Sequence, residues 1–168
     1  VVDLYGTDAV RMALIVGTAP GNDPIISEDK IRGYRNFVTK IWNVSRFVLM
    51  NKPEKMVKKP KFSQDDKRNL KEFTALKARI TKHIERFEFH LAAEKLYHYF
   101  WHTFADKIIE KQKPWLQHGT SVEKAAAYYM IETILIESLK MLHPFMPFVT
   151  EEIYQKIKPG TLLIVETW

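Results

Sequence analysis

Asn36, Lys40, Asn43 and Phe47 are spaced by four, three and four residues, so a helix through them places all four on one face. Two side-chain amides, a cation and an aromatic ring on one strip suit the reading of an unpaired nucleic acid. The ring can stack on an unstacked base, an amide offers its edge both a donor and an acceptor, and lysine neutralises phosphate. Each stacked base is worth roughly 1–3 kcal/mol. Arg32 lies on the same strip. A plainer reading also fits these residues: Phe47 touches a neighbouring helix and the polar side chains are solvated. The spacing alone leaves both open.

The helix that must carry this strip is expected over 27–50. Ser27 supplies a capping hydroxyl, and Glu28 and Asp29 place negative charge at a positive helix end. With Asn36 at zero, Arg32, Lys40, Asn43 and Phe47 fall within about 40°. Ile31, Tyr34, Val38, Ile41, Trp42, Ser45, Val48 and Leu49 fall within about 60° of the opposite pole and form the expected core face.

Helical periodicity continues on both sides. A short helix follows Gly6-Thr7-Asp8, with Thr7 as its candidate cap, and the breakers of 19–24 make a loop. From 51 to 62 five lysines and two prolines form a basic linker. Ser63 with Asp66 and Thr120 with Glu123 have capping-box spacing, opening helices over about 63–86 and 120–142. Another helix spans about 88–111 and is expected to stop at Pro114. Pro144 ends the fourth long helix, and a short helix carrying Glu151 and Glu152 follows Pro147. Leu162-Leu163-Ile164-Val165 is the one strand candidate. The expected architecture is all-α, a helical bundle of four long helices, with a short N-terminal helix and an extended C-terminal segment. It divides into 1–24, a bundle over 25–157, and 158–168.

Composition narrows the function further. The 168 residues include 26 Lys and Arg against 20 Asp and Glu, a formal +6, which favours polyanionic partners. The absence of cysteine removes disulfide frameworks, thiolate metal sites and thiol nucleophiles. No apolar run reaches the roughly 18–20 residues needed to span a bilayer. Val1-Val2-Asp3 has no signal pattern and reads as a cut into a longer polypeptide. His90, Glu94, His98, His102 and Asp106 form an i, i+4 ladder, but it drifts about 40° per step, so no metal site is expected from it. Most of Tyr97, Tyr99, Phe100, Trp101 and Phe104 are expected to pack between helices. No Ser/His/Asp set suggests a triad.

Several of these segments also resemble a known family. Tyr5-Gly6-Thr7-Asp8-Ala9-Val10-Arg11 resembles the Tyr-Gly-Ala-Asp-Ala-Leu-Arg segment that follows the KMSKS loop of class Ia aminoacyl-tRNA synthetases. The run 33–51, with Asn36, Lys40, Trp42, Asn43, Arg46 and Phe47, is similar to the valyl-tRNA synthetase family in particular. Gly21-Asn22-Asp23 and the run 143–154, His-Pro-Phe-Met-Pro-Phe and onward, fit the same family. The likeness covers nearly the whole chain; its first block is shared across the class, and the run 33–51 is the specific one.

This resemblance implies an anticodon-binding helical domain with part of its connection to a catalytic domain. The family's lysine and phenylalanine that face the anticodon loop match Lys40 and Phe47. Arg35 and Arg46 also match family positions; with Arg32 and Lys52 they are candidate phosphate contacts, or they brace neighbouring helices. The stretch 24–30 departs from relatives carrying a cation near Asp29, which puts a phosphate contact there in doubt. No HIGH-like or KMSKS-like segment occurs, and no coiled coil follows Trp168. The 168 residues are therefore expected to be catalytically silent and to need no cofactor, with ATP and Mg serving the parent enzyme. The implied partners are tRNA(Val), read at the second and third anticodon positions, and a catalytic domain of the same polypeptide. A cytoplasmic monomer, off the membrane, is expected. The alternatives are a helical protein-interaction module with a basic surface and the same domain of an isoleucyl or leucyl enzyme.

Overall fold

A computed structural model of the chain describes residues 1–18, 21, 23, 26–54 and 60–168. Parts of the expected 19–24 loop, including Asn22, and of the lysine linker, including Lys55, Lys58 and Lys59, lie outside the described residues. The fold is all-helical, with no strand among the described residues. The order is α1 (Val2–Tyr5), α2 (Thr7–Ile15), α3 (Glu28–Met50), α4 (Gln64–Glu85) and α5 (Phe89–His98). A π-helical stretch (Tyr99–Ile109) continues α5 without a break into α6 (Glu110–His118). Then come α7 (Ser121–Leu142), α8 (Pro147–Ile157) and a single 3-10 turn (Leu163–Val165).

The long helices start where side-chain oxygens can capture the first amides. Ser27 accepts from the Lys30 amide, and Ser63 and Thr120 each form a reciprocal capping box with Asp66 and Glu123. Each such cap is worth about 1 kcal/mol. Thr7 does not cap α2: Gly6 takes that position, with φ 86°, and Thr7 is the first helical residue. Glycine carries no side chain to accept a first-turn amide, so α2 has no side-chain cap.

Two expectations need correction. Pro114 does not stop its helix, which runs on to His118. The carbonyl that its ring would crowd in a regular α-helix belongs to Glu110, the first residue after the wider π turns, where the hydrogen-bond register starts afresh. Leu162-Leu163-Ile164-Val165 is not a strand. Its backbone meets side chains instead: the Leu163 amide donates to Glu151, and Gln155 donates to the Thr161 carbonyl. The segment beyond α8 is fastened to the bundle by the Trp168 indole N–H on Thr81 (2.7 Å).

α7 is the central element. Its buried residues surround the helix, Tyr128, Met130, Ile131, Ile134, Leu135 and Leu139 among them, as expected of a helix packed on several sides. The core it completes includes Phe37, Ile41, Phe73, Ile80, Leu96, Phe100 and Phe104. α3 and the 89–118 rod lie side by side and run in the same direction. Phe37 meets Tyr97 at 4.8 Å, Lys40 reaches Asp106, and Lys113 sits over Phe47.

The core face of α3 is also turned from its expected position. Phe37 and Val44 are fully or nearly buried, whereas Trp42 is 37% exposed. The buried arc lies about 40° round from the assumed pole. Neighbours on different sides cause this: α2 and α8 on one flank and the π stretch on the other.

Candidate nucleic-acid interface

The solvent side of α3 carries Arg32, Arg35, Asn36, Thr39, Asn43, Arg46 and Met50, all exposed. The amides of Asn36 and Asn43 find no hydrogen-bond partner among the described residues, so their donors and acceptors face water. Arg35 and Arg46 likewise form no ion pair among the described residues. Arg32 pairs with Asp29 at 3.1 Å, one turn back, in a largely exposed contact of little energetic weight. Lys52, just past the helix end, is exposed.

Lys40 and Phe47 are placed differently. Both are half-buried on the edge of α3 that meets the π stretch, rather than standing out on the open strip. The Lys40 ammonium donates to Asp106 at 2.7 Å and lies 5.7 Å from the Trp101 ring centroid. Phe47 packs against the main core, and the Lys113 ammonium lies 5.7 Å from its ring centroid. The strip is therefore a ridge with a seam along one edge, and Phe47 touches its neighbours there as the plainer reading had it. Open amides and guanidiniums occupy the ridge; an aromatic ring and a tethered cation line the seam.

The seam is built from aromatic packing. Phe37, Tyr97, Phe100 and Trp101 form edge and stacked contacts between 4.8 and 6.0 Å, which fixes the distance between α3 and the rod. Tyr34 closes its upper end against Tyr97 at 5.6 Å, and burial pushes its hydroxyl up to about 12. Tyr97 and Trp101 are half-buried, and Phe100 and Phe104 are interior, in line with the expectation that most of this cluster is core.

The histidine ladder does not converge. His98 and His102 stack at 5.8 Å and point toward Glu94 and Asp106 at 3.9 and 3.8 Å. Among the described residues no three His, Asp or Glu side chains form a group that could hold a metal ion. No helix among the described residues is long and apolar enough to cross a membrane.

Two arrangements were not read from the sequence. One is the groove beside Trp42, between α3 and α8, lined by Arg46, Leu49, Met50, Ile153 and Lys156, with a volume of about 360 Å³. Placing Trp42 in the core face hid it; the signal available was an indole flanked four residues on by Arg46. The other is the junction of the two terminal motifs. Asp8 accepts from the Phe148 and Val149 amides, and Arg11 donates to the Pro144 and Phe145 carbonyls. No local pattern reveals that pairing.

Comparison with known proteins bears on what this surface is for. The family described as "Anticodon-binding domain of tRNA ligase" matches residues 66–168, more than half of the chain. The ridge on α3 precedes that stretch. Relatives named valine–tRNA ligase cover the ridge as well. That of Clostridium acetobutylicum is 41% identical over 94% of this chain, and that of Clostridium perfringens 38% identical over 100%. The chain spans only 18% and 20% of those proteins. In fold it is similar to Mycobacterium tuberculosis methionyl-tRNA synthetase in its free state, with a TM-score of 0.74 at 22% identity over 92% of this chain and 33% of that one. It is also similar to the LeuRS of Agrobacterium radiobacter K84 in a ternary complex with tRNA, with a TM-score of 0.71 at 20% identity over 99% of this chain and 20% of that one. The chain belongs to the anticodon-binding domain family of tRNA ligases.

Proposed function

We propose that this chain recognises the anticodon loop of tRNA(Val) and positions the tRNA for valine attachment by a catalytic domain of the same polypeptide. The observation that carries this is the open ridge of α3, where the amides of Asn36 and Asn43 and the guanidiniums of Arg35 and Arg46 are exposed and have no side-chain partner among the described residues. In a protein of this family such groups suit an unpaired loop, with amides on base edges and cations on phosphates. Lys40 and Phe47 line the adjoining seam, where a base displaced from its stack meets an aromatic edge and a cation. Arg32 and Lys52 extend the positive track at the two ends of the helix.

Similarity to proteins named valine–tRNA ligase supports valine tRNA over that of another amino acid as the partner. Valine tRNAs share A and C at the second and third anticodon positions, so discrimination there and tolerance at the first are expected. The contribution to catalysis is remote binding energy that orients the substrate, which appears in kcat/KM of the full enzyme. ATP and Mg chemistry belongs to the catalytic part. A cytoplasmic monomer fits this role.

The test is binding of in vitro transcribed tRNA(Val) and of the same tRNA with its second and third anticodon bases exchanged, at matched salt. Preference for the first supports anticodon reading. Equal binding, or preference for isoleucine or leucine tRNA, overturns it.

A further inference from the structure

We infer that the groove between α3 and α8 seats one unpaired nucleobase of the bound tRNA, with Trp42 as its stacking plate. This rests on the function proposed above and adds a second aromatic position to it. Phe47 is half-buried and packed against the main core. Trp42 is the more accessible ring: it is 37% exposed on the opposite edge of the same ridge, beside Met50 at 74%.

The groove has the chemistry that a base requires. Leu49, Met50 and Ile153 make its lining apolar, and its volume of about 360 Å³ is in the usual range for small-molecule sites. Arg46 and Lys156 stand at its rim. Lys156 lies 5.7 Å from the Trp42 centroid and pairs with Glu152 at 2.9 Å, in a contact exposed enough to rearrange. Arg46 has no carboxylate partner among the described residues. A flat ring between an indole and a cation, flanked by an exposed guanidinium, satisfies a stacked base and its phosphate together. That charge pattern complements a polyanion.

Continuity with the ridge supports the same occupant. Asn43 follows Trp42 directly, and Arg46 belongs to both surfaces. Trp42 and Phe47 are five residues apart, about 7.5 Å along the helix axis. An unstacked loop lying over the ridge can therefore send neighbouring bases down opposite flanks, one to the seam and one to this groove.

The experiment uses the 168-residue chain and synthetic tRNA(Val) anticodon stem-loops with 2-aminopurine at one loop position at a time. One position is expected to lose fluorescence on binding the native chain. Trp42→Ala should abolish that quench and weaken binding about tenfold, the loss expected for one stacked base. Trp42→Phe should recover most of both. If Trp42→Ala disturbs the helical circular dichroism, Met50→Glu, at an exposed site on the groove, must remove the same quench. Native-like affinity and quench in Trp42→Ala, with the native chain still preferring the valine anticodon, overturn the groove and leave anticodon reading intact. A native chain that binds no stem-loop, or shows no preference, overturns both.

Discussion

The Val149 amide donates to the Asp8 carboxylate at 2.7 Å, across 141 residues of sequence. The Phe148 amide reaches the same carboxylate at 3.3 Å. α8 has no side-chain cap of its own from Met146, so an acid from α2 satisfies its first amides. One turn along α2, the Arg11 guanidinium takes the Pro144 and Phe145 carbonyls at 3.0 and 3.2 Å. The two terminal motifs are thus one device: a carboxylate for the start of α8 and a guanidinium for the turn that precedes it.

Removing that carboxylate leaves two amides without partners. Asp8→Ala is expected to lower unfolding stability by about 1–2 kcal/mol, read from urea denaturation, with Asp8→Asn recovering part. Combined with Arg11→Ala, the losses should not add, because both groups fasten the same corner.

The same corner makes stability depend on pH. Burial holds the His143 imidazole below its usual 6.5, so the unfolded chain takes up that proton first. Stability from this group is complete above pH 6.5 and declines as pH falls through the folded value. Burial pushes Glu137 up, but the Lys77 and Lys140 ammoniums prevail and hold it below 4.5. Its contribution is complete above pH 4.5 and is lost on further acidification. Thermal midpoints from pH 8 to 3 should fall in two stages, and His143→Gln should remove the upper one.

Asp106 restrains Lys40 on the seam. Asp106→Asn removes a negative charge from the proposed interface and releases the ammonium. Binding of tRNA(Val) should tighten and become more salt-dependent, while discrimination against exchanged anticodon bases should weaken. Titrations at two salt concentrations read both effects.

Cations and amides on the ridge should separate cleanly. Arg35→Ala and Arg46→Ala should each weaken binding to matched and mismatched tRNA alike, and lower the salt slope by about 1. Asn43→Ala should instead cost about 1–3 kcal/mol on tRNA(Val) and little on the exchanged anticodon. A uniform loss from Asn43→Ala would place it among the positioning contacts.

Local chemistry was legible in the sequence, and long-range chemistry was not. Ser27, Ser63 and Thr120 mark helix starts because cap and captured amide lie three residues apart. Pro114 misled because its effect depends on the hydrogen-bond register of the preceding π turns. Trp42 was placed in the core face and Phe37 left out of it because a wheel with one buried pole assumes one neighbour, while α3 has several. Phe47 was correctly placed on the strip by angle, yet its half-burial depends on Lys113 and the rod. The Asp8–Val149 contact leaves no trace within either motif alone.

The side-by-side course of α3 and the 89–118 rod has a consequence for biosynthesis. Lys40 and Asp106 are 66 residues apart, so the chain must return through α4 before this seam can close. On a translating ribosome α3 emerges long before the rod, and within these residues the neighbours made ahead of it are α1 and α2, while Phe37, Ile41 and Val44 await the rod. The surface proposed to read RNA would then be among the last parts of the molecule to mature, and nascent chains stalled within α4 should be the ones that recruit chaperones.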